Sequence, residues 1–142
     1  MIKILNIINS MEVGGAEVML QKILMNSDDT KFKHIVVTLK SEKKLLDDLK
    51  RKNIEIYSLK LNNFFNFFRS FKSLLQIVKK TKPDYILTWL HPSDFYGVFI
   101  KLMCPKVTLL WNIRCSKLIY PIVGFKNILL VKILSRLSKY PD

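Results

Sequence analysis

Short β-prone apolar runs alternate with amphipathic stretches along this chain, and that alternation constrains the fold more than any single motif. Ile2 to Ile8, His34 to Leu39, Ile54 to Leu59, Tyr85 to Trp89 and Val107 to Trp111 are brief and rich in aliphatic or aromatic residues. Runs of that length and kind read as buried strands. Between them, Glu17 to Met25, the stretch carrying Leu45, Leu46 and Leu49, Phe64 to Lys80 and Phe95 to Met103 place apolar residues at helical spacing. Lys82-Pro83-Asp84 ends the third of these helices, because proline restricts both itself and the residue before it.

A strand followed by a helix, repeated, needs crossover connections and therefore parallel strands. The expected fold is an open, doubly wound parallel α/β sheet, whose ligands sit at the carboxyl ends of the strands. With 142 residues, 49% of them hydrophobic, residues 1–142 suit one domain with a real core. A last amphipathic helix, Phe125 to Lys139, leads into Tyr140-Pro141-Asp142, an echo of Lys82-Pro83-Asp84. The echo announces a further strand, so the expected sheet stops before its last member.

Gly14-Gly15-Ala16-Glu17 stands where the first strand hands over to the first helix. Paired glycines let the backbone approach a ligand, and the helix start offers unpaired N–H groups and the positive end of the dipole. That combination suits a phosphate, although a Gly-Gly pair is also ordinary in a tight βα turn. Neither G-x-G-x-x-G after the first strand nor G-x-x-x-x-G-K-[ST] occurs, which excludes the dinucleotide fingerprint and the Walker loop.

The 24 Lys and Arg residues against 11 Asp and Glu give a formal net charge of +13. Such an excess favours phosphate-rich partners: a sugar nucleotide, an anionic lipid surface or nucleic acid. Cys104 and Cys115 form neither a disulfide framework nor a zinc pattern with the widely separated His34 and His91, so free thiols in a reducing cytoplasm and no metal site are expected. The apolar N-terminal run contains Asn6 and Asn9 and reads as a strand, not a signal peptide. Charges such as Asp94, Lys101 and Lys106 interrupt each later apolar stretch before it reaches bilayer-spanning length.

Taken in order, the strand ending in Gly14-Gly15-Ala16-Glu17, Lys82-Pro83-Asp84-Tyr85-Ile86 opening a strand that ends at His91, and Val107 to Arg114 resemble the N-terminal domain of family 4 glycosyltransferases. The resemblance implies the Rossmann-like, acceptor-side half of a GT-B enzyme. Such an enzyme transfers a sugar from a nucleotide-sugar donor, with retention and without a cofactor, to a glycan or lipid-linked acceptor in surface polysaccharide synthesis. It also implies a donor-binding C-terminal domain with a Glu-x7-Glu motif, on the same or a separate polypeptide. Here Glu12, Glu17, Glu42 and Glu55 are the glutamates, and no pair has that spacing. This chain by itself is therefore expected to be inactive. Where many relatives end the fifth strand at a histidine, it has Asn112-Ile113-Arg114.

The residues then take candidate roles. The Gly14-Gly15 turn approaches the donor phosphates. His91, beyond an apolar strand and before Pro92, is a hydrogen-bonding or catalytic candidate; Arg114 is a second. Glu17, His91, Asp94 and Arg114 are candidate acceptor contacts, with Asp94 alternatively capping a helix that starts at Phe95. Phe64, Phe67, Phe68, Phe71, Leu74, Leu75 and Val78 form one helical stripe, opposed by Arg69, Lys72, Gln76 and Lys79. Such a stripe is ordinarily core. Phe65 outside it, together with Phe68, Arg69 and Lys72, gives a candidate contact with an anionic membrane at the inner face of the plasma membrane. A non-catalytic basic module on membrane or nucleic acid is the rival reading, with no specific nucleic acid expected for the enzyme domain.

Overall fold

The computed structural model describes residues 1–12, 14–40, 49, 52–61, 66–112 and 125–142, with side chains in the last stretch from residue 131 onward. One parallel sheet contains β1 (Ile2–Ile8), β2 (Phe32–Thr38), β3 (Glu55–Ser58), β4 (Tyr85–Trp89) and β5 (Thr108–Asn112), in the order β3-β2-β1-β4-β5. The helices are α1 (Gly15–Asn26), α2 (Phe67–Thr81), α3 (His91–Met103) and α4 (Phe125–Leu137). The doubly wound parallel sheet expected from the alternation is the fold. The helix expected around Leu45 and Leu46 lies outside the described residues, apart from a buried Leu49.

Side chains alternate across the pleat, so β1, β2, β3 and β4 feed two cores. Leu5, Ile7, Ile35, Val37, Ile86 and Leu109 pack with Leu74 and Val78 of α2 and with Tyr96, Val98 and Ile100 of α3. Ile8, Val36 and Trp89 instead pack with Ala16, Leu20 and Leu24 of α1, joined by Met11 and Leu49. Opposite faces follow from handedness: from β1 the chain winds outward to β2, whereas from β4 it winds the other way to β5, and right-handed crossovers then lie on opposite sides. Leu5, Ile7 and Ile86 are fully buried, each stabilising the fold by about 1.5–3 kcal/mol relative to exposure.

Polar contacts finish the elements. Helix α1 ends without glycine, and its closing carbonyls are met by Lys52, whose Nζ donates to Leu24, Met25 and Ser27 oxygens at 2.9, 3.2 and 3.0 Å. Asp84 opens β4 by a two-point contact with β1: its N–H donates to the Lys3 oxygen at 2.9 Å, and its Oδ2 accepts from the Lys3 N–H at 2.8 Å. Asp142 repeats this on β5, its N–H donating to the Leu109 oxygen at 2.9 Å while Oδ2 accepts from the Leu109 N–H at 2.8 Å. The Pro-Asp echo in the sequence is thus an echo in bonding. Lys101 Nζ adds a 2.6 Å bond to Asp142 Oδ2, and holds that carboxyl below its usual range with help from the Leu109 N–H.

Gly97 lets α3 lie against the sheet. A Cβ there would come 2.7 Å from Thr88 Cγ2 and 2.9 Å from Leu109 Cδ1, and Thr88 cannot turn away without giving up a bond from its hydroxyl to Asp94. Overpacking of this kind typically costs about 1–3 kcal/mol, against about 1 kcal/mol that alanine returns in helix propensity. Gly97→Ala is expected to lower the urea midpoint of unfolding, with the slope unchanged.

A polar chain links the three central strands, β4, β1 and β2. Trp89 Nε1 donates to Asn6 Oδ1 at 3.4 Å, Asn6 Nδ2 reaches His34 Nδ1 at 3.3 Å, and His34 Nε2 lies 2.9 Å from Ser27 Oγ. With Asn6 donating to Nδ1, the neutral ring carries its proton on Nε2. Burial, then the Lys52 charge, push the His34 pKa below its ordinary 6.5, against a smaller pull from Asp29. The unfolded chain therefore binds this proton more readily. The stability it contributes is present above about pH 6.5 and is lost as pH falls through the lower folded value. Urea midpoints at pH 7.5 and 5.5 should show a drop that His34→Gln reduces.

Candidate functional site

The carboxyl ends of β1 and β4 are neighbours, with Ile8 paired to Trp89. This is where the winding direction of the sheet reverses, the crevice in which open α/β sheets take their ligands. Two helices start beside it.

On the β1 side, Gly14 has φ −149 and ψ 170, extended backbone open to any residue, and its carbonyl accepts the Val18 N–H at 3.0 Å. A Cβ on Gly14 would fall against the Glu17 carboxylate. Glu17 therefore folds back over the helix start, where the dipole favours negative charge. Gly15 differs: a Cβ there would meet nothing within 4 Å. The missing side chain leaves open space beside the N–H groups of the first turn of α1.

On the β4 side, α3 begins at His91 rather than at the expected Phe95. His91 is thus the first residue of a helix and not a loop residue. Pro92 fits the first turn because its missing N–H has no partner to lose there. The entry is made by Leu90, with φ 71 and ψ 153, a region that is almost exclusively glycine's and costs a side-chain-bearing residue of order 1–3 kcal/mol. Its carbonyl accepts the Ser93 and Asp94 N–H groups at 3.0 and 3.2 Å.

That turn sinks Asp94 into the protein. Its exposure is 1%, its Oδ1 accepts the Thr88 hydroxyl at 2.5 Å, and its Oδ2 stands 3.5 Å from His91 Nδ1 without a formed hydrogen bond. Asp94 is not the cap of a helix starting at Phe95, since the helix already begins at His91; it lies buried beneath His91. Burial raises its pKa, opposed by the Thr88 hydroxyl and by His91. His91 keeps 21% of its side chain exposed. Among the described residues neither the fully buried Ser93 Oγ nor the Tyr96 hydroxyl has a hydrogen-bond partner, and burial pushes Tyr96 up to about 12.

The structure thus brings Gly14, Gly15, Glu17, His91 and Asp94 to the two helix starts that flank the crevice, while Arg114 lies outside the described residues. Thr88 and Leu90 were not expected. A Thr-Asp pair six apart has no local signature, and nothing in a leucine announces positive φ. Among the described residues no three His, Cys, Asp or Glu side chains gather as a metal site, and no helix is long and apolar enough to cross a membrane. Cys104 is a free thiol.

The phenylalanine stripe of α2 faces α3. Phe67 packs on Tyr96 with ring centroids 5.1 Å apart and on Phe95 at 5.8 Å, and Phe71 packs on Phe99 at 5.9 Å. Phe68 stays 79% exposed, beside exposed Arg69 and Lys72, whereas Phe65 lies outside the described residues. A depression of about 630 Å³ opens at the other, amino end of β4 and β5, between Lys79, Lys82, Asp84 and Lys106. The topology argues for the crevice over this depression, since the sheet's reversal and both helix starts are at the carboxyl edge.

No protein-family model matches the chain, and no curated protein does. Solved structures do match in shape. A glycosyltransferase from Rickettsia africae ESF-5 superposes with a TM-score of 0.60 at 14% identity, over 86% of this chain and 32% of its own length. A UDP-GlcNAc 2-epimerase from Neisseria meningitidis, bound to UDP-GlcNAc, superposes with a TM-score of 0.55 at 19% identity, over 94% of this chain and 39% of its own. The chain spans about a third of the one and two fifths of the other. At these identities the likeness is one of fold: this chain has the Rossmann-like α/β fold of a GT-B half.

Proposed function

We propose that this chain is the acceptor-side domain of a glycosyltransferase of the family 4 kind, moving a sugar with retention from a nucleotide-sugar donor to a glycan or lipid-linked acceptor in surface polysaccharide synthesis. The observation that carries the reading is the pairing of an open Gly15 at the start of α1 with a partly exposed His91 at the start of α3, across the reversal point of a GT-B-like sheet. Helix starts favour anions, so the N–H groups at Gly14 and Gly15 are assigned to the donor phosphates, with Glu17 swinging aside. His91, and Arg114 beyond β5, are assigned to the acceptor side. No metal or cofactor has a part in this reading.

Transfer also needs stabilisation of the departing phosphate as its charge develops. The reading places those groups on a donor-binding domain, carried on the same polypeptide or a separate one, in the cytoplasm. Residues 1–142 alone are accordingly expected to bind without turnover. Titrating 15N-labelled protein with UDP-GlcNAc, UDP-glucose and GDP-mannose should move the Gly14, Gly15 and His91 amide signals for at least one of them. Gly15→Val, which the open space accommodates, should weaken that binding about tenfold or more while leaving the urea midpoint in place. Silence with all three nucleotides at millimolar concentration would remove the reading, as would turnover by this polypeptide.

Exposed Phe68 beside Arg69 and Lys72 supports a membrane-facing role for α2 within the same reading. An aromatic residue among basic ones suits the headgroup region of an anionic bilayer. Sedimentation with anionic liposomes at low salt should carry the protein down, neutral liposomes should not, and the double change Phe68→Ala with Lys72→Glu should cut the bound fraction several-fold. Salt-steep binding to nucleic acid or anionic lipid without any sugar-nucleotide dependence would instead favour a basic binding module.

A further inference from the structure

We propose that Asp94 is a positioning residue that holds His91 with its proton on Nδ1, so that Nε2 faces the crevice as a bare acceptor suited to an alcohol hydroxyl and not to a phosphate oxygen. Only the role of that hydroxyl rests on the glycosyltransferase reading; the tautomer does not. Burying a carboxylate is costly unless its oxygens are matched, and here Oδ1 has the Thr88 hydroxyl while Oδ2 has no bond and stands 3.5 Å from His91 Nδ1. An ionised carboxylate accepts but does not donate. While Asp94 is ionised, its neighbour on the imidazole is N–H.

Two backbone features make the arrangement specific. Leu90, at φ 71, turns the chain so that the first residue of α3 lies over the fourth, and the start of α3 adds its dipole to the stabilisation of the Asp94 charge. The chemistry that fits is narrow. A ring with its proton turned inward offers a lone pair outward, which accepts from a sugar or lipid hydroxyl and has nothing to donate to an anion. Within the crevice, the two sides then divide the work: phosphate oxygens at the N–H groups of Gly14 and Gly15, and a hydroxyl at His91.

The test needs no substrate. Long-range 1H–15N correlation spectra of histidine-labelled protein, at a pH where both rings are neutral, should show His91 with a pyrrole-type Nδ1 and pyridine-type Nε2, at roughly tenfold preference or more. His34 serves as an internal contrast, with the reverse assignment set by Asn6 and Ser27. Asp94→Asn keeps an oxygen for the Thr88 hydroxyl and turns an amide N–H₂ toward His91, so the His91 tautomer should invert while His34 stays as it was. An Nε2–H tautomer in the unaltered protein would overturn the proposal, as would a folded Asp94→Asn protein whose His91 spectrum is unchanged. Should Asp94→Asn fail to fold, the unaltered protein alone decides. Failure to bind any sugar nucleotide would leave the tautomer standing and remove only the glycosyltransferase context.

Discussion

Everything in this molecule hangs on β1 pairing with β4. Once Ile4 to Ile8 lie beside Tyr85 to Trp89, the chain must leave β1 in one direction and β4 in the other, and right-handed crossovers send their helices to opposite faces. The two cores, the crevice and the placing of two helix starts at its rim are consequences of that one ladder. Aliphatic content on both faces of these strands is what a parallel sheet covered by helices demands.

Much of this was legible in the sequence because strands and helices leave different periods. Ile2–Ile8 and Tyr85–Trp89 emerge with the limits read from their runs. The strand expected from His34 begins at Phe32 instead, since β1 already offers a partner at Ile2. What periodicity does not show is contact between distant segments. The aromatic stripe of α2 was readable as a stripe, but Phe95 and Phe99, which give Phe67 and Phe71 their partners, sit beyond an intervening strand. Among the phenylalanines of the stripe within α2, the packing takes Phe67 and Phe71 toward α3 and leaves Phe68 outside, beside exposed Arg69 and Lys72.

The crevice was half legible. Gly14-Gly15 after an apolar strand marked one rim by composition alone, and the difference between a crowded Gly14 and an open Gly15 needed coordinates. On the other rim, the start of α3 was misplaced by one turn, because the device that brings it forward is a leucine in a backbone region normally left to glycine. That turn changes the character of Asp94. Read from the sequence it is an acceptor contact or a helix cap; placed by Leu90 and met by Thr88, it is a buried carboxyl group under a histidine.

Asp84 carries a consequence for the far end of its strand. A parallel strand that slips by one residue exchanges its faces, which here would swap Ile86 and Thr88 with Leu87 and Trp89 and pull Thr88 from beneath Asp94. Apolar contacts resist that slip only in bulk, as many small preferences. The clasp between Asp84 and the Lys3 backbone is different: it recognises one residue, at the water-exposed beginning of the strand. The alignment of groups around His91 is therefore indexed from the opposite edge of the sheet, by a pair of polar bonds that never approaches the crevice.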